Sequence, residues 1–249
     1  MHARLMKVSF VILATCTLVA AAAQEQRPKN VPFYTWVRED LFAGWMADDM
    51  ARFERSMQKT QEYLKEEPNN MDALNWLGAG AVTRAVRAFA AGDYAKGDQL
   101  FGEGLALMDK AVAAQPMNLG IHATAGGTLM FFASQLPERH YKTAIDKARD
   151  HYVLLYKAQE SMLDKFPLHL KGETLAGIAE TEFRGGNRET ANTYLQKIVT
   201  GMPNTRYAQI AETWIKSPES VTKKDRLVCQ SCHEAGRLTA WTARQPSIQ

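Results

Sequence analysis

Residues 75–118 read NWLGAGAVTRAVRAFAAGDYAKGDQLFGEGLALMDKAVAAQPMN, and this stretch decides the fold of the chain. Ala and Leu, which favour helices, are frequent in both halves of it. Gly92-Asp93 separates the two halves, and Pro116 ends the second because proline cannot continue a helix. The stretch therefore predicts two antiparallel helices joined by a tight turn at Gly92.

Prolines mark the ends of helices along most of the chain. Pro68, Pro116, Pro167 and Pro203 stand at steps of 48, 51 and 36 residues. Each step is long enough for one antiparallel helix pair. Strand signals are nearly absent, since the chain has few alternating Val, Ile or Thr residues and no Asn-Gly or Asp-Gly turn. The sequence therefore predicts an all-α fold of antiparallel helix-pair repeats.

The last two intervals predict four helices, over residues 118–132, 137–166, 170–184 and 188–200. Glycines at 185 and 186 break the chain between the third helix and the fourth. The fourth helix carries one apolar stripe at helical spacing, which we expect to be buried. Its members are Ala191, Leu195 and Ile198.

The pair Gly126-Gly127 lies inside one of these predicted helices. Two glycines in a helix cost about 2 kcal/mol relative to alanine. They are kept where another part of the chain must come close to the backbone. We therefore expect a tight helix–helix crossing at Gly126, or else a bend there.

Trp-Leu-Gly near the start of a pair, Gly-Asp-Tyr at its turn and Pro-x-Asn at its end are where a tetratricopeptide repeat carries such residues. The chain resembles that family over residues 48–216. The resemblance implies a solenoid of antiparallel helix pairs. The 36-residue step is close to the family's period of 34 residues, and the two longer steps are interpreted as longer helices.

Residues 229–233 read CQSCH, which is the C-x-x-C-H pattern of c-type haem attachment. On a helical turn, positions i, i+3 and i+4 share a face, so two thiols and one imidazole can point at the same ring. This pentad resembles the attachment segment of c-type cytochromes. The resemblance implies that Cys229 and Cys232 hold one covalent haem c through thioethers and that His233 is the proximal ligand of its iron.

Three other interpretations of the pentad stay open. A redox dithiol normally lies at the start of a helix that follows a strand, and no such strand is predicted. Zinc could be bound by Cys229, Cys232 and His233, but a tetrahedral site then needs a fourth ligand from elsewhere. The match of five residues could also be a coincidence.

Residues 1–23 have the features of a cleaved secretory signal. A basic start precedes an apolar run, and Ala21 and Ala23 supply the small-x-small cleavage pattern. An uncleaved anchor and a lipoprotein signal at Cys16 are the alternatives. We expect a periplasmic or otherwise exported protein with no stable membrane span after cleavage. Cleavage would leave two cysteines, both in the pentad, so a disulfide-stapled scaffold is not expected.

The mature chain then divides into an N-terminal cap segment at 24–47, the repeat domain at 48–216 and a haem-attachment tail at 217–249. Aromatic residues of the cap segment are expected to cover the open apolar face of the first helix pair, and a ligand or partner site is the alternative. They are Phe33, Tyr34, Trp36, Phe42 and Trp45.

The sixth iron ligand has no candidate in the tail, since none of the 16 residues after His233 is Met or His. It would have to come from the helical body, from a partner, from another subunit or from water, or be absent. Each candidate in the body could equally be an ordinary surface, capping or core residue. The candidates are His122, His140, His151, His169 and Met202.

Charge and motifs argue against other functional classes. The 30 basic and 27 acidic residues give a formal net charge of +3, so a nucleic-acid partner is not expected. No catalytic set is found: Glu180 and Glu182 lie on different faces of a predicted helix and are expected to face solvent. Basic tail residues could pair with haem propionates or attract an acidic partner, or could simply be solvated. They are Lys223, Lys224, Arg226, Arg237 and Arg244.

These observations favour an electron carrier over a catalyst. The helical repeats would dock an unidentified redox partner protein, and the haem on the tail would transfer single electrons outside the cytoplasm. Two alternatives remain: an interaction scaffold without redox function, and a haem sensor or peroxidase-like protein with an open sixth site.

Overall fold

The computed structural model describes residues 33–228. Over this range the regular structure is helical, with nine α-helices and two short 3₁₀ helices, so the all-α prediction is confirmed. The α-helices are α1 (Phe33–Ala47), α2 (Met50–Glu66), α3 (Met71–Ala90), α4 (Tyr94–Ala114), α5 (Leu119–Ala133), α6 (Glu138–Gln159), α7 (Leu168–Arg184), α8 (Arg188–Gly201) and α9 (Arg206–Lys216).

The helices pack in consecutive pairs. The pairs are α1 with α2, α3 with α4, α5 with α6 and α7 with α8, and α9 packs on α8. Each of the three intervals between the marking prolines holds one pair, as expected. The predicted helix over 137–166 ends earlier, at Gln159, and continues as the 3₁₀ helix Glu160–Lys165. Repeated pairs of this kind are compatible with a tetratricopeptide-like repeat.

The proline–asparagine motifs at 68–70 and 116–118 each end one helix and start the next. Asn70 accepts a hydrogen bond from the amide of Ala73 at 2.9 Å, and Asn118 accepts one from the amide of Gly120 at 3.1 Å. Side-chain oxygens at such positions satisfy amides that the first helical turn leaves open, which is worth about 1 kcal/mol each. Local sequence alone therefore fixes where α3 and α5 begin.

Small residues let the two helices of a pair approach closely. A Cβ added to Gly78 of α3 would lie 2.8 Å from the carbonyl oxygen of Gly104 in α4, which is too close for any side chain. A Cβ at Gly126 would lie 3.1 Å from the Cβ of His151 in α6, and α5 continues past this point to Ala133. The predicted tight crossing at Gly126 is confirmed, and α5 runs through it as one helix.

The stripe predicted on α8 is buried, since Ala191, Leu195 and Ile198 are at most 2% exposed. These side chains belong to the main core of the helical array, together with residues of α3 to α9. Leu227 and Val228, which come directly before the pentad, belong to the same core.

Aromatic residues of α1 join the first pair to the rest of the array. The Phe33 ring stacks on Tyr63 of α2, with centroids 4.8 Å apart. At the other end of α1, Trp45 donates a hydrogen bond to Thr83 Oγ1 at 2.8 Å, and its ring stacks on Phe131 of α5 at 5.8 Å. The predicted cap segment therefore contains a helix that reaches across α3 to α5.

Candidate functional site

The segment before the pentad returns to the helical body, where Glu180 of α7 holds it. One carboxylate oxygen, Oε2, accepts hydrogen bonds from the backbone amides of Leu227 at 2.7 Å and Val228 at 2.9 Å. Glu180 is 1% exposed, and the two residues that it holds are 0% and 2% exposed. The chain is therefore anchored on α7 one residue before Cys229.

Arg184 completes this anchor from the next turn of α7. Its Nε donates to the other carboxylate oxygen of Glu180 at 2.8 Å, and its terminal nitrogens donate to the carbonyl oxygens of Thr222 and Asp225. Burial is the largest single influence and disfavours the charged guanidinium, but Glu180 and Tyr141 together outweigh it, so the pKa of Arg184 is raised. We call Glu180 and Arg184 the tail clamp.

The expectation that Glu180 and Glu182 face solvent is wrong. Glu182 is 8% exposed and accepts a hydrogen bond from Asn187 Nδ2 at 2.6 Å, while Glu180 is part of the tail clamp. The spacing of Glu180 and Arg184, four residues apart on a helix, was a usable signal for the ion pair. The contact with the tail had no such signal, because the donors are main-chain amides that any sequence carries.

Two of the basic tail residues are bound to the body. Lys223 forms an ion pair with Glu138 and lies over the Tyr141 ring, 4.3 Å from its centroid. Arg226 lies over the Phe131 ring at 4.5 Å. Cation–π contacts of this kind add roughly 0.5–1 kcal/mol each at partly exposed sites. Arg237 and Arg244 are outside the described residues, so a role in steering or propionate pairing stays a prediction for them.

An apolar groove of about 510 Å³ lies between α1, α5, α6 and α7. Most of its lining is aromatic or aliphatic, which suits a flat hydrophobic ligand. Gly127 of α5 lines the bottom of this groove and leaves space there, since an added Cβ would have only the Tyr152 hydroxyl, at 3.9 Å, as a neighbour. The apolar lining includes Phe42, Trp45, Trp76, Phe131, Tyr152 and Leu155. We call this site the apolar groove.

The apolar groove extends from the anchored tail towards the start of α7. Phe131, which Arg226 covers, lines it near the end of α5, and His169 and Leu170 line it in the first turn of α7. His169 is exposed. The anchored tail segment and an imidazole therefore lie towards opposite ends of one apolar surface.

A second cavity, of about 580 Å³, lies beyond the Trp45–Phe131 stack, and these two rings line both sites. Its lining is more polar and contains Asp48, Arg87 and Arg226, but no histidine. The two cavities therefore differ in chemistry although they share a wall.

Two of the sixth-ligand candidates bind each other. His122 and His151 are buried, and their Nδ1 atoms are 2.9 Å apart. His122 Nε2 lies 3.0 Å from the Pro116 carbonyl, which can only accept, so this nitrogen carries a proton. In the neutral pair, His151 Nδ1 then donates to His122. Burial, followed by the proximity of His122 and Lys147, lowers the pKa of His151 to about 4.

The other candidates are placed differently. His140 lies 2.6 Å from Asp98 Oδ1, and its ring packs on Phe101 with centroids 4.6 Å apart. The hydrogen bond from His140 is the main reason why the pKa of Asp98 is lowered. Met202 is 3% exposed in the core. Of the five candidates, only His169 lines the apolar groove.

The chain matches no protein-family model, no curated protein and no solved structure. Between residues 33 and 228, no helix has the length and apolar character needed to cross a membrane. In that same part of the chain, no group of three or more His, Cys, Asp or Glu side chains could hold a metal ion.

The attachment residues Cys229, Cys232 and His233 lie outside the described residues, as does the signal over 1–23. Their roles, and the zinc and dithiol alternatives, stay predictions.

Proposed function

We propose that this chain is an exported monohaem c-type cytochrome-like protein, in which a tetratricopeptide-like helical scaffold holds a C-terminal haem for one-electron transfer. The observation that carries the proposal is the tail clamp. Two main-chain amides directly before the pentad are buried on the carboxylate of Glu180. A reactive group is useful when rigid elements hold it in place, and α7 supplies that support.

Haem c would supply an iron that gains or loses one electron. Cys229 and Cys232 would hold it covalently, and His233 would ligate the iron from one side. The described residues are chemically suited to such a group. The apolar groove offers aromatic walls, and Arg38, which lines it and pairs with Glu39 at 3.0 Å, has a guanidinium that could also pair with a propionate.

The helical scaffold would also contact the redox partner. Three large apolar side chains between residues 162 and 170, two of them adjacent to His169 in the chain, are 40–51% exposed, which favours a contact surface at this end of the apolar groove. They are Met162, Leu168 and Leu170. A partner that docks here would lie close to a group held in the apolar groove.

The proposal is tested by intact-mass spectrometry of the full chain, expressed in a strain that matures c-type cytochromes. We expect the cleaved chain plus one haem, and the matched control Cys229→Ala/Cys232→Ala should show the cleaved chain alone. A bare polypeptide from the unmodified sequence would contradict the redox function and leave an interaction scaffold. Added zinc in a native mass spectrum would support the metal alternative instead.

The absorption spectrum then separates a carrier from a sensor or peroxidase-like protein. A carrier is expected to be six-coordinate and low-spin in both oxidation states. If the reduced protein binds carbon monoxide at once and without displacing a ligand, the sixth site is open and the carrier function is contradicted.

A further inference from the structure

We propose that the pentad and its haem dock in the apolar groove, and that His169 is the sixth ligand of the iron, opposite His233. This inference rests on the proposed function, because it needs a haem on the tail. It goes further in naming the site on the body and the ligand. The observation behind it is that one apolar groove is lined both by Phe131, which the anchored tail covers through Arg226, and by the exposed imidazole of His169.

The first step is to show that the chain after Val228 is long enough to reach His169. Eleven positions of α7 separate His169 from Glu180, which is about 16 Å along the helix axis. Glu180 holds Val228, and the five following residues span up to about 17 Å when extended. The two imidazole side chains shorten the distance that the backbone must cover. The chain that follows Val228 is therefore long enough to bring an iron held by His233 to His169.

The second step is the chemistry of the surface between them. A porphyrin is a large flat apolar ring, and a solvent-exposed porphyrin would leave a substantial hydrophobic patch. Phe42, Trp76 and Leu155 line the apolar groove and offer the burial that such a ring needs. Gly127 keeps the floor low, since nothing but the Tyr152 hydroxyl lies within 4 Å of a Cβ built there. Haem burial raises the reduction potential, so this surface would also set the redox properties.

The third step compares the other candidate ligands. His122 and His151 are buried against each other between α5 and α6. His140 faces Asp98 and Phe101, away from the apolar groove, and Met202 is in the core. The second cavity has no histidine in its lining, although Arg226 reaches it. His169 is the candidate that combines exposure with a place in the apolar groove.

The experiment uses the full-length haem-loaded protein and the variant His169→Ala, with His140→Ala as the matched control. Both variants should keep the haem mass. We expect His169→Ala to lose the low-spin spectrum, to bind carbon monoxide directly when reduced, and to recover the low-spin spectrum with added imidazole. His140→Ala should keep the spectrum of the unmodified protein. Circular dichroism confirms that each variant is folded.

A second pair of variants tests the apolar groove without touching the ligand. Gly127→Leu should fill the floor and convert most of the haem to the high-spin form, although His169 is still present. Gly102→Leu is the control, because Gly102 is exposed on α4 with nothing within 4 Å of an added Cβ. We expect it to leave the spectrum unchanged.

The outcomes separate the two proposals. An unchanged low-spin spectrum in His169→Ala, with haem present by mass, would overturn the ligand assignment and leave the electron carrier intact. An unchanged spectrum in Gly127→Leu would overturn docking in the apolar groove. Absence of haem from the unmodified protein would overturn the proposed function itself.

Discussion

Asp40 and Glu180 are both buried carboxylates that join two segments of the chain, but their partners differ. Asp40 of α1 is 4% exposed and accepts hydrogen bonds from the side chains of Arg52 at 2.8 Å and Arg55 at 2.9 Å, both in α2. Glu180 pairs with the guanidinium of Arg184 and accepts hydrogen bonds from two main-chain amides of the tail. The first joins two helices, and the second positions an extended segment.

The surroundings decide what each carboxylate contributes. α1 and α2 also share an apolar cluster in which Val37, Leu41 and Phe53 are fully buried, so Asp40 is one part of a larger interface. The tail segment has only a short 3₁₀ helix, Pro218–Ser220, before the residues that Glu180 holds. Loss of Asp40 should therefore cost global stability, whereas loss of Glu180 should release the tail from a folded body.

The largest effect is expected from Asp40→Ala. The substitution removes the shared acceptor of Arg52 and Arg55 and leaves their charges beside an apolar cluster, so the free energy of unfolding should fall by about 3–5 kcal/mol. Urea denaturation measures it. Glu212→Ala, which breaks an exposed pair with Lys216, should change stability by less than about 0.5 kcal/mol. If Asp40→Ala lowers the free energy of unfolding no more than Glu212→Ala does, Asp40 contributes no more to global stability than Glu180, and the contrast is contradicted.

The next largest effect is expected in the pH dependence of stability, which His151 controls rather than Asp40 or Glu180. The pKa of His151 is lowered from 6.5 to about 4 in the folded protein, so the unfolded chain binds a proton first as the pH falls. Stability should therefore decrease between pH 6.5 and pH 4, by up to about 3 kcal/mol, and level off below. Urea denaturation at several pH values measures this. His151→Gln, which cannot titrate, should flatten the curve over that window, and an equally steep curve would contradict the assignment.

Glu180→Gln tests the tail clamp. The amide keeps one acceptor but loses the charge that pairs with Arg184, at a cost of about 1–3 kcal/mol to the local structure. Hydrogen exchange at the amides of Leu227 and Val228 should become roughly ten- to hundredfold faster, while exchange in α3 to α6 stays the same. Uniform acceleration in all helices would contradict a local role and make Glu180 resemble Asp40.

The smallest effect is expected from Asp225→Asn. Asp225 Oδ2 accepts hydrogen bonds from the amide of Thr222 at 2.7 Å and from its hydroxyl at 2.8 Å, which closes an exposed turn. Exposed contacts of this kind contribute little, so exchange at Leu227 should change by roughly threefold or less. A change as large as that of Glu180→Gln would show that the turn, rather than the tail clamp, holds the tail.

Local signals predicted the helices well because each boundary is set by nearby residues. Proline ends a helix, and after Pro68 and Pro116 an asparagine two positions later caps the next helix, so the pairs could be assigned without tertiary information. Gly126 likewise predicted a close helix crossing, although the sequence did not identify His151 as the residue on the other side of it.

Most of the candidate site could not be predicted from the sequence, because it joins segments that are far apart in the chain. Trp45 meets Phe131, and Glu180 meets Val228, through faces that only the packed array brings together. The sequence analysis even placed Glu180 in solvent, since a charged residue is seldom buried without partners and its two main-chain partners in the tail carry no sequence signal. The sequence did predict the pentad and named His169 as a candidate ligand, but it carried no sign of the apolar groove that His169 lines.

Hydrogen exchange of α5 and α7 tests the central claim most directly, by comparing the haem-loaded chain with Cys229→Ala/Cys232→Ala. A tail haem that docks in the apolar groove should slow exchange in residues 119–131 and 168–174, and leave α2 and α9 as they are. Identical exchange in the two proteins, with haem present by mass in the first, would contradict the account.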